Sequence, residues 1–125
     1  MSGRILVVDD EPNLRELLRI VLEGDGHFVL LAATFREAME VLTKEQFDLV
    51  ICDIFLPDGN GLDLLPKFEA IPSSPEVIIM TGHGSDQDEE EARRLGAFAY
   101  LRKPIDINQL METVRNAGRT HGKGD

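Results

Sequence analysis

Four short apolar runs, residues 5–8, 49–52, 77–80 and 98–101, recur along the chain without polar alternation and are rich in branched or aromatic side chains. Runs of this length with no polar face predict strands covered on both sides. Residues 27–32 read as a further strand between the first two. The stretches between strands carry helical spacing instead. Leu14, Leu17, Leu18, Val21 and Leu22 recur at i, i+3, i+4, i+7 and i+8, with Pro12 suited to the first turn of that helix and Gly24 to its end. Thr34 followed by Glu37 makes a capping box that opens a second helix, with Phe35, Ala38, Met39 and Leu42 on its inner face.

The segment Leu56-Pro57-Asp58-Gly59-Asn60-Gly61 is a dense turn signal, after which residues 62–70 should form a third helix. Pro66 falls in its first turn or just beyond, where a missing N–H matters little because the first amides of a helix have no internal partner. A flexible loop, Gly82-His83-Gly84-Ser85, leads into a fourth helix over 86–95 whose apolar stripe is little more than Ala92 and Leu95, so it should be the least firmly packed. The last helix has a capping box of Asp106 with Gln109 and a full stripe of Ile107, Leu110, Met111 and Val114. Strands alternating with helices imply right-handed crossovers into an α/β parallel sheet, where ligands bind beyond the carboxyl ends of the strands.

The chain's 125 residues suit one domain, over residues 1–118, with 119–125 expected as a flexible tail or the start of a linker. A balance of 13 basic against 23 acidic residues gives a formal charge of −10, which argues against direct binding to nucleic acid or an anionic membrane and favours a protein or small cationic partner. Cys52, the only cysteine, ends an apolar strand and can form no internal disulfide, which suits a small core residue in a reducing cytoplasm. The amino-terminal run is too short for a signal peptide or a membrane span.

The chemistry sits where the strands end. Asp9-Asp10, Asp53, Thr81 and Lys103-Pro104 each follow directly on an apolar run, so the topology brings them to one sheet edge. Taken singly, each has an ordinary reading: Asp9 or Asp10 as a helix cap, Asp53 as a strand-end residue, Thr81 as a strand residue, Lys103 as a solvated lysine. Together they place up to three carboxylates within several ångströms, where each like-charge pair at 4 Å costs roughly 4 kcal/mol at an effective dielectric of about 20. A retained proton or a bound cation must offset that, and oxygen-only ligands favour a hard ion such as Mg2+. With Lys103 as a second positive charge, the set suits phosphoryl transfer: an aspartate nucleophile, a metal, and a lysine and a hydroxyl to hold the transferred group.

The pieces Val7-Val8-Asp9-Asp10-Glu11-Pro12, Asp48-Leu49-Val50-Ile51-Cys52-Asp53, Leu56-Pro57-Asp58-Gly59-Asn60-Gly61, Met80-Thr81-Gly82 and Lys103-Pro104 closely resemble the receiver domain of two-component response regulators, of the chemotaxis-regulator kind, and the resemblance spans about residues 4–117. It implies a flavodoxin-like, doubly wound (βα)5 fold with a five-stranded parallel sheet of order 2-1-3-4-5. It further implies that Asp53 accepts phosphoryl from a histidine kinase or a histidine phosphotransfer protein. Asp9 and Asp10 organise Mg2+ with Asp53 and the Phe55 backbone carbonyl, Thr81 and Lys103 contact the phosphoryl group, and the Lys103-Pro104 peptide is cis.

By the same resemblance the domain is a switch with no metabolic turnover, limited to autocatalytic phosphotransfer and autodephosphorylation. Thr81 is drawn toward the phosphoryl group, Tyr100 turns from exposed to buried, and the fourth helix, fifth strand and last helix form the output face for a downstream protein or a missing output domain. The resemblance implies a monomer or a phosphorylation-linked dimer. Phe55 and His83 lie where the family tunes access of water, although His83 reads equally as a solvated loop residue. Thr81-Gly82-His83-Gly84 and the segment after Pro57 look similar to receivers of the nitrogen-regulator type, which normally precede an ATPase and a DNA-binding domain. A haloacid-dehalogenase-type phosphatase would need an acid at position 55, and a flavodoxin-like flavin binder would be repelled by Asp9-Asp10-Glu11. A receiver-like module that binds partners without phosphorylation stays open, with Mg2+ binding as the discriminator.

Overall fold

The computed structural model describes residues 3–68 and 74–122. In chain order these form β1 (Arg4–Val8), α1 (Pro12–Gly24), β2 (Phe28–Ala32), α2 (Phe35–Lys44), β3 (Leu49–Asp53), β4 (Phe55–Leu56), β5 (Gly59–Asn60), a 3-10 turn (Gly61–Asp63), α3 (Leu64–Phe68), β6 (Glu76–Thr81), α4 (Asp86–Arg94), β7 (Ala99–Arg102) and α5 (Ile107–Gly122). The main sheet has the order β2-β1-β3-β6-β7, every pair parallel. With the two-residue strands β4 and β5 set aside as a small hairpin, that is the order 2-1-3-4-5 implied by the resemblance to receiver domains.

The strands lack polar alternation because both faces of the sheet are covered. Leu6, Val8, Val50, Cys52, Val77 and Ile79 point to a core layer closed by residues of α2, α3 and α4. Their neighbours Ile5, Val7, Leu49, Ile51, Ile78 and Met80 point to the opposite layer, closed by Leu18 and Leu22 of α1 and Leu110, Met111 and Val114 of α5. Cys52 is wholly buried and burial holds its thiol well above the usual cysteine range, so it is a core residue.

Local signals and structure differ at several points. The residue capping the start of α1 is Glu11, with no side-chain bond, so neither Asp9 nor Asp10 caps that helix. Leu17 lies on the exposed side of α1, because the i, i+3, i+4 pattern is wider than the buried stripe. At α2 the Thr34 hydroxyl accepts the Glu37 N–H, but the Glu37 carboxylate reaches Ala33 N–H rather than closing the box on Thr34. The dense turn at 56–61 folds as the β4–β5 hairpin, and the third helix starts as the 3-10 turn, with Pro66 in the first turn of α3. Residues 69 and 70, assigned from sequence to that helix, lie outside the described residues. α4 gains a full capping box between Ser85 and Asp88. α5 continues to Gly122, past Gly118, where the sequence places the onset of a frayed tail.

His27 ties the entry of β2 to the start of β1. Its Nδ1 accepts the Gly3 N–H at 3.1 Å, which requires a neutral ring. Burial lowers the pKa of His27, an effect only partly offset by Asp25. Above about pH 6.5 the ring is neutral folded or unfolded; as pH falls through about 6.5 the unfolded chain takes the proton first and stability drops. We expect His27→Gln to flatten the fall in melting temperature between pH 7 and 5; an unchanged slope would remove this assignment.

Candidate functional site

The carboxyl ends of β1, β3, β6 and β7 meet at one edge. Asp9 follows β1 directly and its N–H bonds to Ala32 O at 3.0 Å, which continues the β1–β2 ladder and fixes the residue in the sheet plane. Its side chain is 0% exposed. Asp9 Oδ1 accepts the Glu11 N–H at 2.8 Å, and Arg15 Nη1 bonds Asp9 O at 2.7 Å. Asp10 faces solvent. Asp53 is the last residue of the central strand β3 and is buried, with Oδ1 accepting the Phe55 N–H at 3.2 Å.

Asp9, Asp10 and Asp53 each present a carboxylate oxygen, all within 4.8 Å of one another. Lys103 Nζ stands at 2.8 Å from Asp9 Oδ2, 2.6 Å from Glu11 Oε1 and 2.9 Å from Asp53 Oδ2. Burial works against that ammonium, but its hydrogen bonds to the acids outweigh the penalty and hold its pKa above the usual lysine value. Burial raises the Asp9 carboxyl, partly offset by Lys103 and the Glu11 N–H, while Lys103 draws the exposed Glu11 carboxyl below its ordinary value. Asp9 Oδ2 is near Lys103 as a charge but has no donor aligned with it in hydrogen-bond geometry. A buried, underused carboxylate oxygen in an all-oxygen set fits a hard divalent cation. The residues present therefore suit the expected metal.

Thr81 closes β6 and is buried. Asp53 pairs with Met80, so Thr81 stands one residue further along the neighbouring strand, and Lys103 N–H bonds back to Thr81 O at 2.9 Å. The Thr81 hydroxyl accepts the His83 N–H at 3.3 Å, which leaves its own proton to donate. His83 itself is exposed. Phe55 is 46% exposed and offers no acid where a dehalogenase-type phosphatase would need one. The Lys103-Pro104 peptide is cis.

Tyr100 is the clearest departure from expectation. Rather than lying at an exposed edge, its ring is packed inside with 8% exposure, because the space beside it is left open by Gly84. Two further residues gained no role from the sequence. Glu11, 92 positions from Lys103, supplies that lysine's shortest contact. Asp58, in the hairpin, accepts N–H bonds from Phe35 at 2.8 Å and Arg36 at 3.0 Å, and so moors the loop after Asp53 to the start of α2. An acid two residues after Asp9 and an acid within a turn were the only signals available.

Comparison with known proteins agrees with this geometry. Residues 5–115 match the family described as response regulator receiver domain. The chain is 40% identical over 116 residues to the response regulator protein PilR of Pseudomonas aeruginosa, covering 93% of this chain but 26% of that protein. It is 35% identical over 115 residues to sporulation initiation phosphotransferase F of Bacillus subtilis, covering 92% of this chain and 93% of that protein. Among solved structures, a CheY-like receiver domain protein from Methanospirillum hungatei superposes with a TM-score of 0.93 at 32% identity over 100% of both chains. NtrX from Brucella abortus gives a TM-score of 0.88 at 30% identity, over 99% of this chain and 29% of that one. The chain thus spans about a quarter of PilR and nearly all of the Bacillus protein.

Proposed function

Because this chain belongs to the response regulator receiver domain family, we propose that it is a phosphorylation-controlled switch in which Asp53 accepts a phosphoryl group from the phosphohistidine of a histidine kinase or phosphotransfer protein. The observation that carries the reading is the Asp53 carboxylate itself, buried at the end of the central strand, with one oxygen held by the Phe55 N–H and the other by Lys103. In the transfer an Asp53 carboxylate oxygen attacks phosphorus, the P–N bond breaks, and its electron pair leaves on the imidazole, which is protonated by solvent. Asp9, Asp10, Asp53 and the Phe55 carbonyl would hold Mg2+, which would supply neutralisation of charge on the reacting oxygens.

This chain's own groups do the rest. Lys103, shared between Asp53 and Glu11 at rest, follows the negative charge from the carboxylate to a phosphoryl oxygen. Thr81 donates its hydroxyl proton to another oxygen. The product carries about two added negative charges against the end of β3. That change biases the neighbouring loop 82–85 and the surface formed by α4, β7 and α5, where a downstream protein or an output domain reads the state.

The test is the intact mass after incubation with acetyl phosphate, with and without Mg2+, beside Asp53→Asn. A single phosphoryl adduct that needs Mg2+ and is lost in the variant is expected. No adduct together with no Mg2+ binding, or an adduct retained in Asp53→Asn, overturns the proposal.

A further inference from the structure

A buried hydroxyl with no partner needs something to keep it there. Tyr100, on β7, has such a group: its ring is inside, and its oxygen is buried without a hydrogen bond. The seat exists because of what residue 84 lacks. A Cβ at Gly84 would lie 2.0 Å from the Tyr100 oxygen and 2.6 Å from Thr81 Cγ2. Gly84 has no positive φ among the described residues, so the glycine serves space rather than backbone conformation. The outer side of the seat is closed by Arg102, whose guanidinium carbon stands 5.5 Å from the Tyr100 ring centroid. The same guanidinium donates to Gly84 O at 3.0 Å, to Asp86 Oδ1 at 3.1 Å and to Glu89 Oε1 at 3.3 Å.

We propose that Arg102 is a latch that seats Tyr100: it covers the ring, fastens the carbonyl of Gly84 and anchors both to the first turns of α4. The inward ring is thereby held in the unmodified chain, and its seating depends on Arg102 and its two carboxylates. The planar fork is what makes this possible, since it spans a carbonyl and two carboxylates while lying against a ring, which a lysine ammonium cannot do. This goes beyond the phosphoacceptor reading and stands without it.

The chain has one tyrosine and no tryptophan, so tyrosine emission reports Tyr100 alone. The test is quenching by acrylamide, a neutral probe, in the full chain without phosphodonor or Mg2+. The parent should be quenched several-fold less than N-acetyltyrosinamide, and its phenol should ionise above the usual range, as burial dictates. Arg102→Gln should raise the quenching constant several-fold, Arg102→Lys should restore little of the protection, and Gly84→Ala should expose the ring whatever stands at 102. Asp86→Asn with Glu89→Gln, which leaves Arg102 itself intact, should give an intermediate value. A parent quenched like the free amide, equal quenching in parent and Arg102→Gln, or full protection in Arg102→Lys or Gly84→Ala would overturn the latch. None of these readings depends on whether Asp53 takes a phosphoryl group.

Discussion

Gly61→Ala is expected to remove a large part of the stability of this domain. A Cβ at that position would lie 2.1 Å from Asp53 O, 2.8 Å from Cys52 Sγ and 3.0 Å from Asp53 C. Two of these obstacles are backbone of β3, the central strand, which is paired on both sides and buried along its whole length. The glycine cannot back away either, because its N–H bonds to Ile54 O at 2.7 Å. Overpacking costs about 1–3 kcal/mol where side chains can give way, and here the obstacle is main chain, so a loss of about 3 kcal/mol or more is expected. Against a total of about 5–15 kcal/mol for a domain, that is a substantial fraction. Urea unfolding beside Gly24→Ala, where an added methyl meets nothing within 4 Å, checks it. Equal midpoints for the two variants would mean that the close approach under Asp53 does not exist.

The sequence was most legible where a residue's surroundings follow from its own neighbours. Apolar runs such as Val77-Ile78-Ile79-Met80 have no polar side because both faces are covered, and a strand of that kind has only one place to go in a βαβ series. Its last residue then falls at the functional edge, so Asp9, Asp53, Thr81 and Lys103 could be placed together from order alone. What the sequence withheld depends on partners far along the chain. Glu11 and Lys103 are separately visible at that edge, but that the exposed acid makes the lysine's shortest contact is a matter of tertiary geometry. The mooring of Asp58 to α2 is equally long-range, linking the hairpin to backbone amides more than twenty residues earlier.

Tyr100 shows the same limit from the other side. In sequence it is a tyrosine on an edge strand, for which a ring half in water is the ordinary expectation. Its burial is set by a missing Cβ at Gly84 and by the reach of Arg102, neither of which is written in the pattern around residue 100. Leu17 errs in the opposite sense, since helical spacing marks every apolar position on a broad face while packing uses only a stripe of it.

Lys103→Met is expected to destabilise the metal-free protein and make it depend on a divalent cation. In the parent the Lys103 ammonium answers Asp9, Glu11 and Asp53 at 2.6–2.9 Å, with Asp10 close by, so its removal leaves three carboxylates without the cation that paired them, the Arg15 guanidinium being bonded to the Asp9 main-chain carbonyl instead. Glu11, whose side chain is 58% exposed, regains water at little cost. Asp9 is wholly buried and cannot. Removing one partner of a buried ion pair costs about 3–5 kcal/mol, and the lower end applies here because only some of the paired carboxylates are buried, Glu11 already facing solvent. A cation seated among Asp9, Asp10 and Asp53 offsets the same charge that Lys103 offsets, and a ligand stabilises the fold in proportion to how tightly the folded state holds it. The variant should therefore lose about 3 kcal/mol in EDTA and recover more of its stability on adding Mg2+ than the parent gains, while its yield of phosphoryl adduct falls because the ammonium that follows the transferred charge is gone. Thermal or urea unfolding of both proteins across a Mg2+ series measures the difference. Equal stability in EDTA together with equal Mg2+ increments would mean that Lys103 and the cation do not answer the same carboxylates, and the electrostatic account of the site would have to be given up.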